Sequence, residues 1–324
     1  MVGARRHNFA LTRGITPTPE FQKKKLASFA VNVGVKCGHD CLYCSTGAML
    51  RMHEAFRACG ENPFGFGYAI VDPDTPTRVA QDAKRMRDRG PVQVCTTVDA
   101  WAPEAQAHQL GRQCLGAILG QPGWTVRILT KNVAVRNDFD LIEAHKERVL
   151  VGLSITATSE KADAMRVVEP NASPNQDRIL AMQEAVARGL RTYAMFCPLL
   201  PGIADAPDQV DHLVRLAAEF RAEEVVVEPV NPRGAGLRLC QEAMESKGFV
   251  SEAAALARIR KRKHWSRYVL DLVATVQRAI RQYSDITRLR FLLYPDRLLP
   301  EHVEAIRKDD AGVIWLGKGH CGHG

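Results

Sequence analysis

Residues 36–45 read KCGHDCLYCS, so Cys37, Cys41 and Cys44 stand in a C-x3-C-x2-C run with Tyr43 before the last cysteine. The chain has nine cysteines in 324 residues. Random placement gives this spacing with a probability of about 0.007, so chance is a poor account of it. A short loop carrying three thiolates suits three corners of an iron–sulfur cubane. Such clusters ordinarily take four cysteines, and a missing fourth ligand leaves one iron open to a substrate or cosubstrate. Two other readings compete. A structural zinc would combine these cysteines with His39 or a remote Cys or His, although such sites usually arrive as paired C-x2-C knuckles. Three buried core thiols are the third reading, but the residues between them, Gly38, His39 and Asp40, are loop formers. An odd cysteine total argues against a disulfide framework and for a reducing cytoplasm.

Outward from this loop, apolar runs alternate with helical spacing. Strands are expected at 26–35, 92–97, 126–130, 149–156, 191–196 and 224–230. Helices are expected at 46–59, 106–119, 139–146, 175–188 and 206–220, with residues 71–77 as a loop inside a long first crossover. Strands alternating with helices demand parallel pairing and right-handed crossovers. Beyond residue 231 the pattern changes to a long helix, 251–283, broken once, and one more strand near 288–294. The expected fold is α/β: a partial (β/α)6 parallel barrel over 26–232, with an N-terminal arm (1–25) and a mainly helical C-terminal extension (233–324).

Composition agrees with a globular chain: 46% hydrophobic, 25% charged, net charge +8. No run of 18 apolar residues exists, so no membrane span is expected, and the N-terminus lacks the apolar core of a secretory signal. Those absences lead to an expected cytoplasmic location.

At the cysteine loop the chain resembles the radical S-adenosylmethionine (SAM) superfamily, whose signature is a C-x3-C-x-aromatic-C loop after the first strand of such a barrel. Further stretches resemble the branch that contains spore photoproduct lyase: Cys95 to Asp99 (CTTVD), Leu129 to Asn132 (LTKN), residues 165–174 (MRVVEPNASP) and 197–205 (CPLLPGIAD). The likeness spans residues 26–232, and the C-terminal third matches no known pattern. It implies a 4Fe–4S cluster on Cys37, Cys41 and Cys44, and SAM on the open iron. SAM would be cleaved reductively and a hydrogen atom abstracted from the substrate. It also implies an external electron donor such as flavodoxin or ferredoxin, and a lyase or modification reaction. Tyr43, Lys131 and Ser154 would contact SAM, and Cys95 would donate a hydrogen atom to the substrate radical.

Each role has a plainer counterpart. Lys131 could be a solvated strand-end lysine, Ser154 a filler of the sheet interior, and Cys95 a small buried hydrophobe. Strand parity turns Gln93 and Cys95 to the face opposite Val92 and Val94. Glu169 could pair with Arg166, Asp99 could cap the helix after Pro103, and Glu228 could contact a ligand or sit in a plain turn. Cys59, Cys114, Cys197 and Cys240 read as packing residues, with Cys197 at a strand end keeping a minor claim. Residues 257–267, ARIRKRKHWSR, carry Arg258, Arg260, Lys261, Arg262, Lys263 and Arg267. They could meet phosphates, with Trp265 stacking on a base, or form a solvated face. The tail His320, Cys321 and His323 has metal-type residues among glycines and reads as a loose end. The substrate expected by analogy is DNA or RNA. The alternatives are a radical SAM enzyme acting on a peptide, protein or metabolite, and a non-catalytic zinc-stabilised nucleic-acid binder.

Overall fold

In the computed structural model, residues 4–232 and 234–317 are described, and the tail motif at 320–323 lies outside them. Four parallel strands come first: β1 (Phe29–Val31), β2 (Pro91–Val94), β3 (Thr125–Thr130) and β4 (Val149–Leu153), paired in that order. A short strand, Arg191–Thr192, adds to β4, and β5 (Ala194–Leu199) touches β4 through a parallel bridge between Ser154 and Met195. β6 (Val225–Pro229), β7 (Leu289–Leu293) and β8 (Val313–Trp315) follow, again all parallel. The result is a mixed α/β fold with parallel sheets and many helices. The last two strands come from the C-terminal third, which therefore extends the sheet as well as supplying helices.

Crossover helices include α1 (Thr75–Arg85), α2 (Leu110–Leu119), α3 (Asn175–Ala187) and α4 (Pro207–Glu219). The C-terminal third supplies α5 (Gly236–Ser246), α6 (Val250–Ile259), α7 (Arg262–Tyr283) and α8 (Pro300–Arg307). The expected 251–283 helix thus breaks once, at Arg260 and Lys261. Three expectations change. The run 26–35 divides into β1 and Gly34–Lys36, which pairs antiparallel with a strand at Tyr68–Val71. The 46–59 helix is two short ones, Thr46–Met49 and Glu54–Ala58, the second capped by the His53 ring. The loop expected at 71–77 instead contains the start of α1, because Pro76 in the first turn favours a helix start.

The strands bury both faces, which is why they read as continuous apolar runs. Val92, Val94, Val126, Ile128, Val151 and Phe291 belong to the cluster packed with the helices. On the other face Leu150, Tyr193, Met195, Val226, Leu292 and Ile314 form a second cluster, which Leu26 joins from the N-terminal segment. Tyr193 lies across β4, with its hydroxyl donating to the Ile128 carbonyl at 2.8 Å. Only glycine at position 152 allows this, since a Cβ there would stand 2.4 Å from the ring. Gly152→Val should therefore destabilise the chain by about 1–3 kcal/mol, measured by urea unfolding. An unchanged midpoint would show that Tyr193 is free to move aside.

Candidate functional site

The cysteine loop leaves Lys36 at the C-terminal side of β1 and is pinned at four places. The Gly38 amide donates to Glu104 Oε1 at 2.7 Å, and the Gly38 carbonyl accepts from Asn171 Nδ2 at 2.9 Å. The Leu42 amide donates to the Val168 carbonyl at 3.0 Å. Thr46 Oγ1 donates to the Thr97 carbonyl at 2.8 Å, anchoring the loop's exit. A Cβ on Gly236 would come within 3.1 Å of Tyr43 Cα, so the first helix of the C-terminal third rests directly on the loop.

Cys41 is buried, Cys37 half-buried and Cys44 exposed, and all eight cysteines among the described residues are free. Burial, then the neighbouring Cys44, Glu104 and Asp99, push the Cys37 thiol well up. Burial, then Glu169, do the same to Cys41. Bare thiolates are thus disfavoured here unless a positive centre joins them, and a metal centre supplies that charge. Among the described residues no three Cys, His, Asp or Glu side chains converge as a single-ion site. One tetrahedral ion needs its sulfurs about 2.3 Å from a common point. A cluster instead offers a separate iron to each cysteine. His39 is turned to Asp99, its Nδ1 3.5 Å from Oδ2, and its buried Nε2 has no hydrogen-bond partner. Three thiols on one short loop match the donor chemistry of an iron–sulfur cluster.

Beside the loop lies a node of buried charge around Glu169. Its carboxylate accepts from the Tyr43 hydroxyl, from Arg178 Nη2 and from Thr156 Oγ1, the last at 3.1 Å. Lys131 Nζ is 3.2 Å from Oε1. Burial alone would raise the Glu169 carboxyl, but Arg178, Lys131 and the Tyr43 hydroxyl more than reverse this and hold it at about 2. Arg166 is not among these partners, so the expected local ion pair is replaced by longer-range ones. Arg178 comes from α3, and Lys131 follows β3.

Lys131 and Ser154, both expected near SAM, meet directly. Lys131 Nζ donates to Ser154 Oγ at 2.6 Å, and both reach the Cys197 carbonyl, at 3.3 and 2.9 Å. Lys131 Nζ also stands 5.7 Å from the centre of the Tyr43 ring. Tyr43, Lys131 and Ser154 are therefore brought together, beside the cysteine loop. Asp99 caps no helix after Pro103. It is a buried clip that accepts from Thr130 Oγ1 and the Lys131 amide, each at 2.8 Å, and so sets the end of β3.

Cys95 is placed elsewhere. β2 ends at Val94, and Cys95, 2% exposed, joins the helix-packed cluster with Val94 and Cys114. Burial, then Asp99, push its thiol well above the usual range. The parity expectation holds for Val92 and Val94 but fails one residue beyond the strand, where alternation no longer applies. The thiol on the other face is Cys197, whose Sγ donates to Glu228 Oε2 at 3.3 Å. The position of Cys197 at a strand end was the signal that could have found it.

The basic segment does not form one face. Arg262 donates to the Arg297 and Leu298 carbonyls, Arg267 to Asp271 and Arg260 to Gln241. Trp265 is 3% exposed, so it is a core residue and has no face to offer a base.

The fold is that of the spore photoproduct lyase structures. One, of a tyrosine-to-phenylalanine mutant, superposes with a TM-score of 0.58 at 14% identity over 85% of this chain and 78% of that one. A cysteine mutant with bound AdoMet and dinucleoside spore photoproduct gives the same values, 0.58 and 14% over 85% and 78%. A cysteine-to-serine mutant gives 0.56 at 17% over 79% and 74%. No family model matches the chain. Among curated proteins, it is 22% identical to an uncharacterized protein of Acidianus two-tailed virus over 68% of this chain and 72% of that protein. It is 25% identical to an uncharacterized protein of Mycobacterium tuberculosis over 71% and 67%.

Removing the Glu169 carboxylate strands Arg178 and Lys131. Glu169→Ala should cost about 3–5 kcal/mol at pH 7. Because the folded carboxyl is held low, at about 2, its contribution is complete above about pH 5 and is lost as pH falls. The gap between wild type and variant in denaturant titrations should close on acidification. A gap independent of pH would show that the loss is one of packing alone.

Proposed function

We propose that this chain is a radical SAM enzyme that abstracts a hydrogen atom from its substrate. The observation that carries the reading is one neighbourhood. Three thiols on a pinned loop stand beside Tyr43, Lys131 and Ser154 at the C-terminal ends of parallel strands, where sites form in such folds. When bound, a 4Fe–4S cluster and SAM would supply the one-electron chemistry that makes hydrogen-atom abstraction possible. The protein's part is binding, orientation and exclusion of water. Cys37, Cys41 and Cys44 would each hold one iron. Lys131 offers an ammonium to a carboxylate, and Ser154 offers a hydroxyl to a carboxylate or ribose. Glu169 holds the Lys131 side chain and the Tyr43 ring in place.

The arrangement is read as a partial barrel over 26–232, with α5 of the C-terminal extension resting on the cysteine loop. Segment 16–26 supports this curvature. Thr16–Pro17 pairs with β1, while Glu20 accepts from the Tyr294 hydroxyl at 2.6 Å just beyond β7. A segment this short reaches from β1 to the end of β7 only if the sheet bends. A cytoplasmic location and an external one-electron donor complete the reading. No helix among the described residues is long and apolar enough to cross a membrane.

For the substrate, a nucleic acid or nucleotide is favoured by the likeness to a protein solved with dinucleoside spore photoproduct. The buried Trp265 and the committed Arg262 speak for the second reading, a peptide or metabolite substrate.

Anaerobic reconstitution should give about four irons and four sulfides per chain, with SAM cleaved to 5′-deoxyadenosine and methionine under a reductant. Cys37→Ala, Cys41→Ala and Cys44→Ala should each abolish cleavage. Lys131→Ala should weaken SAM binding by about 1.5–3 kcal/mol, read by calorimetry. Zinc in place of iron, or full cleavage by the triple cysteine variant, would overturn the reading.

A further inference from the structure

Cys197 faces two ways. Its carbonyl belongs to the Lys131 and Ser154 set, while its thiol belongs to a second polar set that the reading above leaves unused. Glu228 Oε2 accepts from that thiol and lies 3.6 Å from Lys24 Nζ. The Lys24 ammonium stands 5.4 Å from the Phe21 ring centre and 5.8 Å from that of Tyr294. Burial works against the Lys24 charge, but Glu228, together with Tyr294, Cys197 and Glu20, more than offsets it and holds the ammonium above its usual range. Cys197 and Glu228 lie on β5 and β6, and Tyr294 lies just beyond the end of β7. All three residues, with Lys24, are half-buried. An ion pair this far buried is costly to maintain as mere surface charge.

We propose that Lys24, Glu228 and Cys197 form the substrate half of the site, and that they read a neutral cis-amide edge, with N–H and C=O side by side. This rests on the function proposed above and names its substrate chemistry. The pair carries no net charge: a phosphate would meet Glu228, and a free ammonium would meet Lys24. A ligand serving both must accept from Lys24 and donate to Glu228 along one edge. A trans peptide unit points its N–H and C=O in opposite directions, so an extended polypeptide backbone fails this test. A cyclic imide, a lactam or a primary carboxamide passes it. Cys197, bonded to Glu228, then borders the bound group, the place the sequence motif gave to Cys95.

The test is protection of Cys197 from iodoacetamide, read by peptide mapping on the reconstituted full chain with SAM present. The probes are uridine, nicotinamide, glycylglycine and inorganic phosphate. Uridine or nicotinamide should slow Cys197 alkylation severalfold, uridine alone identifying a cyclic imide and nicotinamide alone a carboxamide. Glycylglycine and phosphate should not. Lys24→Met and Glu228→Gln should each remove the protection while iron content and SAM affinity stay as in wild type. Absence of protection by both cis-amide probes, protection by phosphate or glycylglycine, or protection that survives both substitutions would overturn the proposal. Failure to take up iron or bind SAM would instead count against the proposed function, and is read separately.

Discussion

A single buried carboxylate, Glu169, ties together parts of the chain that sequence keeps far apart. It accepts from Tyr43 in the cysteine loop, from Arg178 on α3 and from Thr156 beyond β4, and it pairs with Lys131 beyond β3. In a dry setting an isolated carboxylate would take up a proton. Two cations and a hydroxyl keep it ionised, and it in turn fixes their positions. The loop is thus held against the strand ends by charge as well as by backbone hydrogen bonds. Lys131 and Ser154 reach the same region because Asp99 fixes the turn that carries Lys131.

The alternation of strands with helices and the parallel pairing were legible in the sequence, and Lys131 and Ser154 were each marked there by the family resemblance. Long apolar strands and helix stops record burial on both faces, and residues at strand ends gather at one edge of a parallel sheet. The failures are local ones. Arg166 looked like the partner of Glu169 because it is three residues away, whereas Arg178 and Lys131 arrive through tertiary packing. Cys95 takes its expected role from the family resemblance, and the strand parity that would turn it to the other face stops where β2 stops. Trp265 looked available beside six basic residues, but it lies on the inward side of α7. β8 is three residues long, too short for its apolar pattern to stand out.

The N-terminal residues held the least visible information. Lys24 turns inward to Glu228 while Phe21 and Leu26 pack on the second face. The segment joins the start of the sheet to its far strands, and its Lys24 supplies the cation that pairs with Glu228 beside Cys197. The two polar sets, one around Glu169 and one around Glu228, share only Cys197 between them.

The most direct test of the central claim is the electron paramagnetic resonance spectrum of the reduced, reconstituted protein before and after SAM is added. If Cys37, Cys41 and Cys44 hold a cluster with one open iron, SAM should alter the g values and line shape of the cluster signal as it takes that position. A reduced cluster whose spectrum is identical with and without saturating SAM would contradict the claim.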